Sequence, residues 1–177
     1  MQCYVAFLRG INVGGRVVKK ETLEKIFTSL GFRKVFTYRQ SGNVIFEANE
    51  EDTDEVEAGI EKKLLEVLGS EVKVFIRTHS QLKAMIDSEP FKGQKGEDSS
   101  FLVTFLKSAP ENFALTLPLT IPKSTALIAS AKDAEVFSVT HGDGEGALPN
   151  PFLEKSLNVT ATTRNFNTIR GIVRRIG

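Results

Sequence analysis

Apolar residues fill positions 3–8, CYVAFL, without a break, which is the pattern of a central strand covered on both faces. The period then changes. Leu23, Ile26, Phe27 and Leu30 recur at i, i+3, i+4 and i+7, one face of a helix, and Gly31 stands where a left-handed residue ends it. Residues 35–38 and 43–48 are strand-like runs on either side of Gln40-Ser41-Gly42, which predicts a hairpin. A second helix is predicted over 53–68, with Asp54 and Glu55 in its first turn and Gly69 at its end. Val56, Ile60, Leu64, Val67 and Leu68 mark its buried face. With 72–76, VKVFI, the chain returns to strand, so the first half reads β-α-β-β-α-β, the ferredoxin-like order.

The second half is read less regularly. A short helix is predicted over 80–88, followed by a polar stretch, 89–100, that holds Lys92, Gly93, Lys95 and Gly96 and reads as a linker. Strands follow at 101–106, 125–131 and 135–140, the last two joined by Lys132-Asp133-Ala134. Ser108-Ala109-Pro110-Glu111 resembles a capping box and predicts a short helix behind it. A glycine-acid loop at 142–146, a helix at 151–157 and a strand at 159–163 complete the series. The last helix carries Ile169, Ile172, Val173 and Ile176 on one face, with Asn165 or Asn167 as its cap. No residue-level repeat is present, but the order of elements repeats. The expected fold class is therefore α+β. It comprises two ferredoxin-like βαββαβ halves, 1–78 and 99–165, joined by a helix and linker over 79–98 and closed by a helix over 166–177.

Composition narrows the classes. The chain has 177 residues, of which 41% are apolar and 25% charged, with a formal net charge of +1. That suits a globular core and excludes a grossly basic nucleic-acid binder or an acidic tail. The charge is uneven. Residues 1–48 hold eight Lys and Arg against three Asp and Glu, residues 49–70 two against eight, and residues 151–177 five against one. Cys3 is the single cysteine, read as a buried thiol with no disulfide partner. There is no signal-like segment and no apolar run long enough to span a bilayer, so the expected compartment is the cytoplasm and no membrane partner is expected.

Candidate chemistry concentrates in LRGINVGGR, residues 8–16. Gly10 and Gly15 have the spacing of a phosphate-binding loop, but Arg16 and Val17 follow in place of the lysine and hydroxyl that the loop requires. The dinucleotide pattern also fails, because Asn12 replaces its second glycine. A general anion site survives both rejections, since glycine-rich backbone can turn N–H groups inward ahead of a helix N-terminus. The alternative is that the glycines only permit a tight turn. In a βαββαβ unit the first two strands point the same way, which brings this loop beside the hairpin at 39–43. The expected ligand-binding set is Arg9, Asn12, Gly14, Gly15, Arg16, Arg39, Ser41 and Asn43, a convergent polar group facing a small anion such as a phosphate or nucleotide, unless Arg39 and Asn43 only cap and solvate the hairpin.

Catalytic and metal readings find less. His79 and His141 are the only histidines, no Cys/His cluster is present, and no metal site is expected. Asp143 and Glu145 suit a solvated loop better than a calcium site. Arg170, Arg174 and Arg175 lie where cations complement the dipole of the last helix. Three rivals to anion binding stay open. These are an enzyme using the same pocket with His141 or Asp143, an interaction module or homodimer working through an exposed sheet edge, and a nucleic-acid binder with steep salt dependence. Nothing in the pattern commits the chain to a reaction or a cofactor.

The blocks LRGINVGG, LGF, TYRQSGNVIF and ATTRNFNT, in that order from Tyr4 to about Val173, resemble the domain-of-unknown-function family 1697. The resemblance implies a small, mostly bacterial α+β protein and supplies no reaction, cofactor or catalytic residue. Arg39 stands where many relatives carry an apolar residue, and Phe166 where a tryptophan is common. The resemblance also singles out Thr162-Thr-Arg-Asn165. Within it Arg164 either pairs structurally with a carboxylate, the preferred reading, or joins the ligand-binding set.

Overall fold

The computed structural model describes residues 1–12, 17–39, 42–49, 52–94, 99–110, 113, 115–141 and 148–177. The chain divides into two compact units, Met1–Leu82 and Lys83–Gly177. It is an α+β fold, with two antiparallel sheets and five helices among the described residues. Among the described residues no helix is long and apolar enough to cross a membrane.

In the first unit the order is β1 (Gln2–Arg9), α1 (Lys20–Ser29), β2 (Arg33–Thr37), β3 (Asn43–Ala48), α2 (Thr53–Leu68) and β4 (Lys73–Thr78). The strands lie in the spatial order β2-β3-β1-β4, every neighbour antiparallel. Tyr4, Ala6 and Leu8 of β1 join Val44 and Phe46 of β3 and Val74 and Ile76 of β4 in one core with Leu23, Ile26 and Phe27 of α1 and Val56, Ile60 and Leu64 of α2. The alternate residues Val5, Phe7, Ile45 and Phe75 are buried as well. Burial on both faces is why β1 is continuously apolar rather than alternating. Phe46 is the centre of the helix-side layer, with ring centroids 5.6 Å from Tyr4, 5.4 Å from Phe27 and 4.5 Å from Phe32.

The helix ends follow local chemistry. Asp52 accepts hydrogen bonds from the N–H groups of Asp54 and Glu55 at the start of α2, and Gly69 ends it with φ +68°. Gly31 follows α1 with φ +86°. Of the buried face predicted for α2, Val67 is 50% exposed, whereas Leu68 packs against the core.

The second unit receives the end of α3 (His79–Asp87) and continues with β5 (Ser99–Leu106), β6 (Leu119–Thr120), β7 (Ala126–Lys132), β8 (Glu135–His141), α4 (Pro149–Leu157), β9 (Ala161–Asn165) and α5 (Phe166–Ile176). Its sheet is ordered β6-β7-β8-β5-β9. Leaving out β6, the strands occupy the same relative places as in the first unit. The helix expected after Ser108 is a correction. Among the described residues between β5 and β7 there is none, and residues 111, 112 and 114 lie outside them. Leu115, Leu117, Leu119 and Ile121 pack on the core at every second position, a strand period, and Pro118 and Pro122 have no N–H for a helix. Asn165, rather than Asn167, caps α5, its side chain accepting from the Asn167 N–H at 2.9 Å.

Sheet edges are closed by helical carboxylates. Glu57 and Glu61 of α2 accept from the β4 N–H groups of Ile76 and Val74, Glu24 of α1 accepts from Thr37 of β2, and Glu154 of α4 accepts from Ala161 of β9.

Truncation of Phe46 to alanine leaves a cavity at the meeting point of β1, β3 and α1. Urea unfolding of Phe46→Ala is expected to show a loss of about 3–5 kcal/mol, against a total near 5–15 kcal/mol for a domain, with an unchanged m-value.

Candidate functional site

β1 ends in a turn at Gly10, with φ +70°, after which Ile11 is buried and Asn12 returns to the surface. Asn12 Oδ1 accepts from the Val18 N–H at 2.9 Å, which ties the start of the connecting segment to its end. The β2–β3 hairpin meets this turn directly. The Leu8 N–H donates to the Gly42 carbonyl at 2.8 Å, and Phe7 lies opposite Asn43 in the strand register. Gly42 has φ +68°, and a Cβ there would lie 2.8 Å from Ile11 Cγ2 and 3.2 Å from the Leu8 carbonyl oxygen. Only glycine lets these two backbones approach so closely.

Between the segment after β1 and the hairpin lies a cavity of about 480 Å³, within the roughly 300–1,000 Å³ range of small-molecule pockets. Asn12, Arg39 and Gly42 line it, together with the first turn of α1, Lys19, Lys20 and Glu21, and apolar Val18 and Leu23. Lys19 occupies the N-cap position in extended conformation, and no side chain caps the helix among the described residues. A helix N-terminus carries about half a positive charge and ordinarily attracts acids. Here two lysines stand against it, and Glu21 offsets them only through an exposed contact with Lys20 at 3.8 Å.

The sequence-based set is brought together only in part. Asn12 and Arg39 line the cavity, Arg39 in a left-handed conformation, φ +56°, with its guanidinium carbon 5.7 Å from the centroid of the Tyr38 ring. Asn43 is 0% exposed. Its Nδ2 donates to the Tyr38 carbonyl at 3.1 Å, and the Tyr38 N–H donates back to the Asn43 carbonyl at 2.9 Å, so this residue builds the hairpin. Arg9 ends β1 opposite Lys73 of β4 and is not among the described residues of the cavity wall. Arg164 lies in the second unit, on β9, and its Nη1 donates to Thr162 Oγ1 at 2.8 Å and to the Thr163 carbonyl at 3.0 Å. Burial lowers its pKa to about 10. Gly14, Gly15, Arg16 and Ser41 lie outside the described residues, as do Asp143 and Glu145. Lys19 and Lys20 are additions that the sequence reading missed. Their signal was a basic pair at the start of a helix, where the dipole disfavours it.

Other reactive groups sit elsewhere. His141 Nδ1 is 2.8 Å from Ser99 Oγ across the β5–β8 pair, in the second unit. Cys3, expected to be buried, is partly exposed. Burial pushes its thiol pKa up, and the charge of Glu47 acts in the same direction against Lys34. Among the described residues no group of three or more His, Cys, Asp or Glu side chains could hold a metal ion.

Comparison with known proteins adds family and fold. The family described as protein of unknown function, DUF1697, matches residues 1–137, and the chain belongs to it. The ATTRNFNT block lies beyond that match. The conserved bacterial protein SP0830 from Streptococcus pneumoniae shares the fold, with a TM-score of 0.65 at 19% identity, covering 99% of each chain. No protein with a curated description matches the chain.

Gly42 and Gly31 separate contact from conformation. Both have positive φ, but nothing lies within 4 Å of a Cβ at Gly31. Gly31→Ala is expected to cost about 1–2 kcal/mol from backbone strain alone. Gly42→Ala is expected to cost about 1–3 kcal/mol more through the clash with Leu8 and Ile11. Equal losses in urea unfolding would remove the tight loop–hairpin contact as a structural requirement.

Proposed function

We propose that this member of the family binds a small anionic ligand, a phosphate-bearing molecule in the first instance, in the cavity between the segment after β1 and the β2–β3 hairpin. One observation carries the reading. An N-terminus of α1 that no side chain caps among the described residues, headed by Lys19 and Lys20, opens on a cavity of about 480 Å³ that Arg39 also lines. The arrangement costs stability without a ligand and gains it with one, because the dipole and both lysines then act on the same negative charge.

Lys19, Lys20 and Arg39 supply the charge. Gly42 holds the hairpin close enough to the turn for the cavity to form, and Asn12 fixes the chain entering α1. Val18 and Leu23 give the cavity an apolar wall, which suits an anion that carries an organic group. Gly14, Gly15, Arg16 and Ser41 belong to the proposed site through their adjacency along the chain to Val17 and Gly42, which line the cavity. Arg9, Asn43 and Arg164 take no part in it.

The test is thermal stability against pyrophosphate, sugar phosphates and ribonucleoside mono- and triphosphates, with sulfate as the inorganic control. A bound phosphate compound is expected to raise the midpoint in proportion to its saturation, by an amount that shrinks at high salt because the lining charges are exposed. Lys20→Ala and Arg39→Ala should each weaken binding about tenfold, the size of one charge-assisted contact. Without ligand, Lys20→Ala should be as stable as the native chain or more stable by up to about 1 kcal/mol, since it removes a cation from a helix N-terminus. A panel that shifts nothing, or a shift that both variants retain, would sink the reading.

A further inference from the structure

An edge strand presents every second N–H to the outside of its sheet, and in β4 these belong to Val74, Ile76 and Thr78. Each is taken by a side chain. Glu61 Oε1 accepts from Val74 at 3.0 Å, Glu57 Oε1 from Ile76 at 2.6 Å, and Gln81 Oε1 from Thr78 at 2.8 Å. The spacing explains the fit. Residues four apart on a helix rise about 6 Å, and alternate residues of a strand are about 6.6 Å apart, so successive carboxylates on one face of α2 meet successive outward donors of β4. Lys73 holds the other oxygen of Glu61 at 3.4 Å.

This arrangement is costly to build. Glu57 is only 6% exposed, and burying a carboxylate is unfavourable unless hydrogen bonds replace its water. An apolar residue would cover the sheet at lower cost but leave the Ile76 N–H exposed on the edge. The strand is also a hazard if opened. Val74, Phe75 and Ile76 are consecutive, apolar and β-prone, with no proline near, flanked by Lys73 and Arg77. The device recurs at two more edges. Glu24 accepts from both the N–H and the hydroxyl of Thr37 on β2, at 3.0 and 3.2 Å, and Glu154 accepts from the Ala161 N–H on β9 at 2.8 Å. The remaining edge strand, β6, is two residues long.

We infer that Glu57 and Glu61 form an edge lock. Their acceptor oxygens close β4 to strand addition by a second copy of this chain, and removing those oxygens turns Lys73–Thr78 into a self-pairing surface. The paired state is antiparallel, β4 against β4 about a twofold axis, with outward N–H groups bonding the partner's carbonyls.

The test compares two double variants of the full chain. Glu57→Gln with Glu61→Gln removes charge but keeps an acceptor oxygen at the same reach. Glu57→Met with Glu61→Met keeps the apolar stem and removes the acceptor. Sedimentation velocity over a concentration series and amide hydrogen exchange by NMR are the readouts, with the native chain as reference. The Gln pair is expected to sediment like the native chain and keep its protection at Val74 and Ile76. The Met pair is expected to exchange those two amides about tenfold faster at low concentration, the loss of one hydrogen bond to a charged acceptor, and to associate as concentration rises. A folded Met pair that sediments like the native chain overturns the lock, as does a Gln pair that associates as strongly as the Met pair. Should the Met pair fail to fold, Glu61→Met alone decides, since Glu61 is partly exposed. Faster exchange confined to Val74 with association supports the lock, and native behaviour overturns it.

Discussion

The N–H of Ile76 has no neighbouring strand to bond, and it reaches the carboxylate of Glu57 instead. That substitution of side chain for strand is the constraint on which the first unit is built. A four-stranded sheet buried on both faces has little water to satisfy its outer donors, and an unpaired buried N–H costs as much as a lost hydrogen bond. The helices therefore do two jobs. Their apolar faces cover the sheet, and glutamates at the margin of those faces reach over its edges. This fixes where each helix lies along its strand more sharply than apolar packing could, because packing is non-directional and a hydrogen bond is not.

The same constraint sets the geometry of the candidate site. Glu24 binds Thr37 through two contacts, and Thr37 lies two residues before Arg39, with both residues on the cavity wall. Glu24 is in the second turn of α1, just beyond the lysines that head the helix. One edge cap thus holds the start of α1 against the strand that leads into the hairpin. The Leu8–Gly42 hydrogen bond holds the hairpin against the end of β1 from the other side. Between them, two interactions that belong to folding set the width of the opening between Lys19, Lys20 and Arg39. A binding site on a loop needs such a rigid frame, since small displacements weaken charge-assisted contacts.

Much of this frame was legible in the chain, and the limits have physical causes. The strand at CYVAFL, the helices with their Gly31 and Gly69 ends, and the hairpin at Gly42 all rest on local period and local backbone chemistry. That the turn after β1 lies beside the hairpin followed from strand direction alone; the Leu8–Gly42 hydrogen bond did not. What failed depended on neighbours. Asn43 is open to two readings, ligand or hairpin cap, because nothing in its own sequence says that its amide closes on Tyr38. Nothing in the helical pattern sets Glu24, Glu57, Glu61 and Glu154 apart as edge caps, since a carboxylate beside a strand edge and one in water have the same place in it. After Ser108, where the capping signal predicts a helix, the described residues hold none. That signal was local, but four alternating apolar residues and two prolines outweighed it.

The comparison between the two units narrows where function can reside. Both order their main strands alike, and both carry a helix, α2 or α4, whose glutamate caps the final edge strand of its sheet. They differ at one point. The first unit places α1 between its first two strands, and the described residues of the second unit place β6 before β7 with no helix there. A helix at that position in the first unit brings an N-terminus and two lysines to the mouth of a hairpin. The second unit has a hairpin at Asp133 but, among its described residues, no such helix to face it, and its α4 begins with Pro149 and Pro151, which lack two of the N–H groups an anion would use. Shared topology therefore does not imply a shared site. The basic helix start on which the proposed anion site rests belongs to the first unit, whereas the edge capping that both units share belongs to the fold.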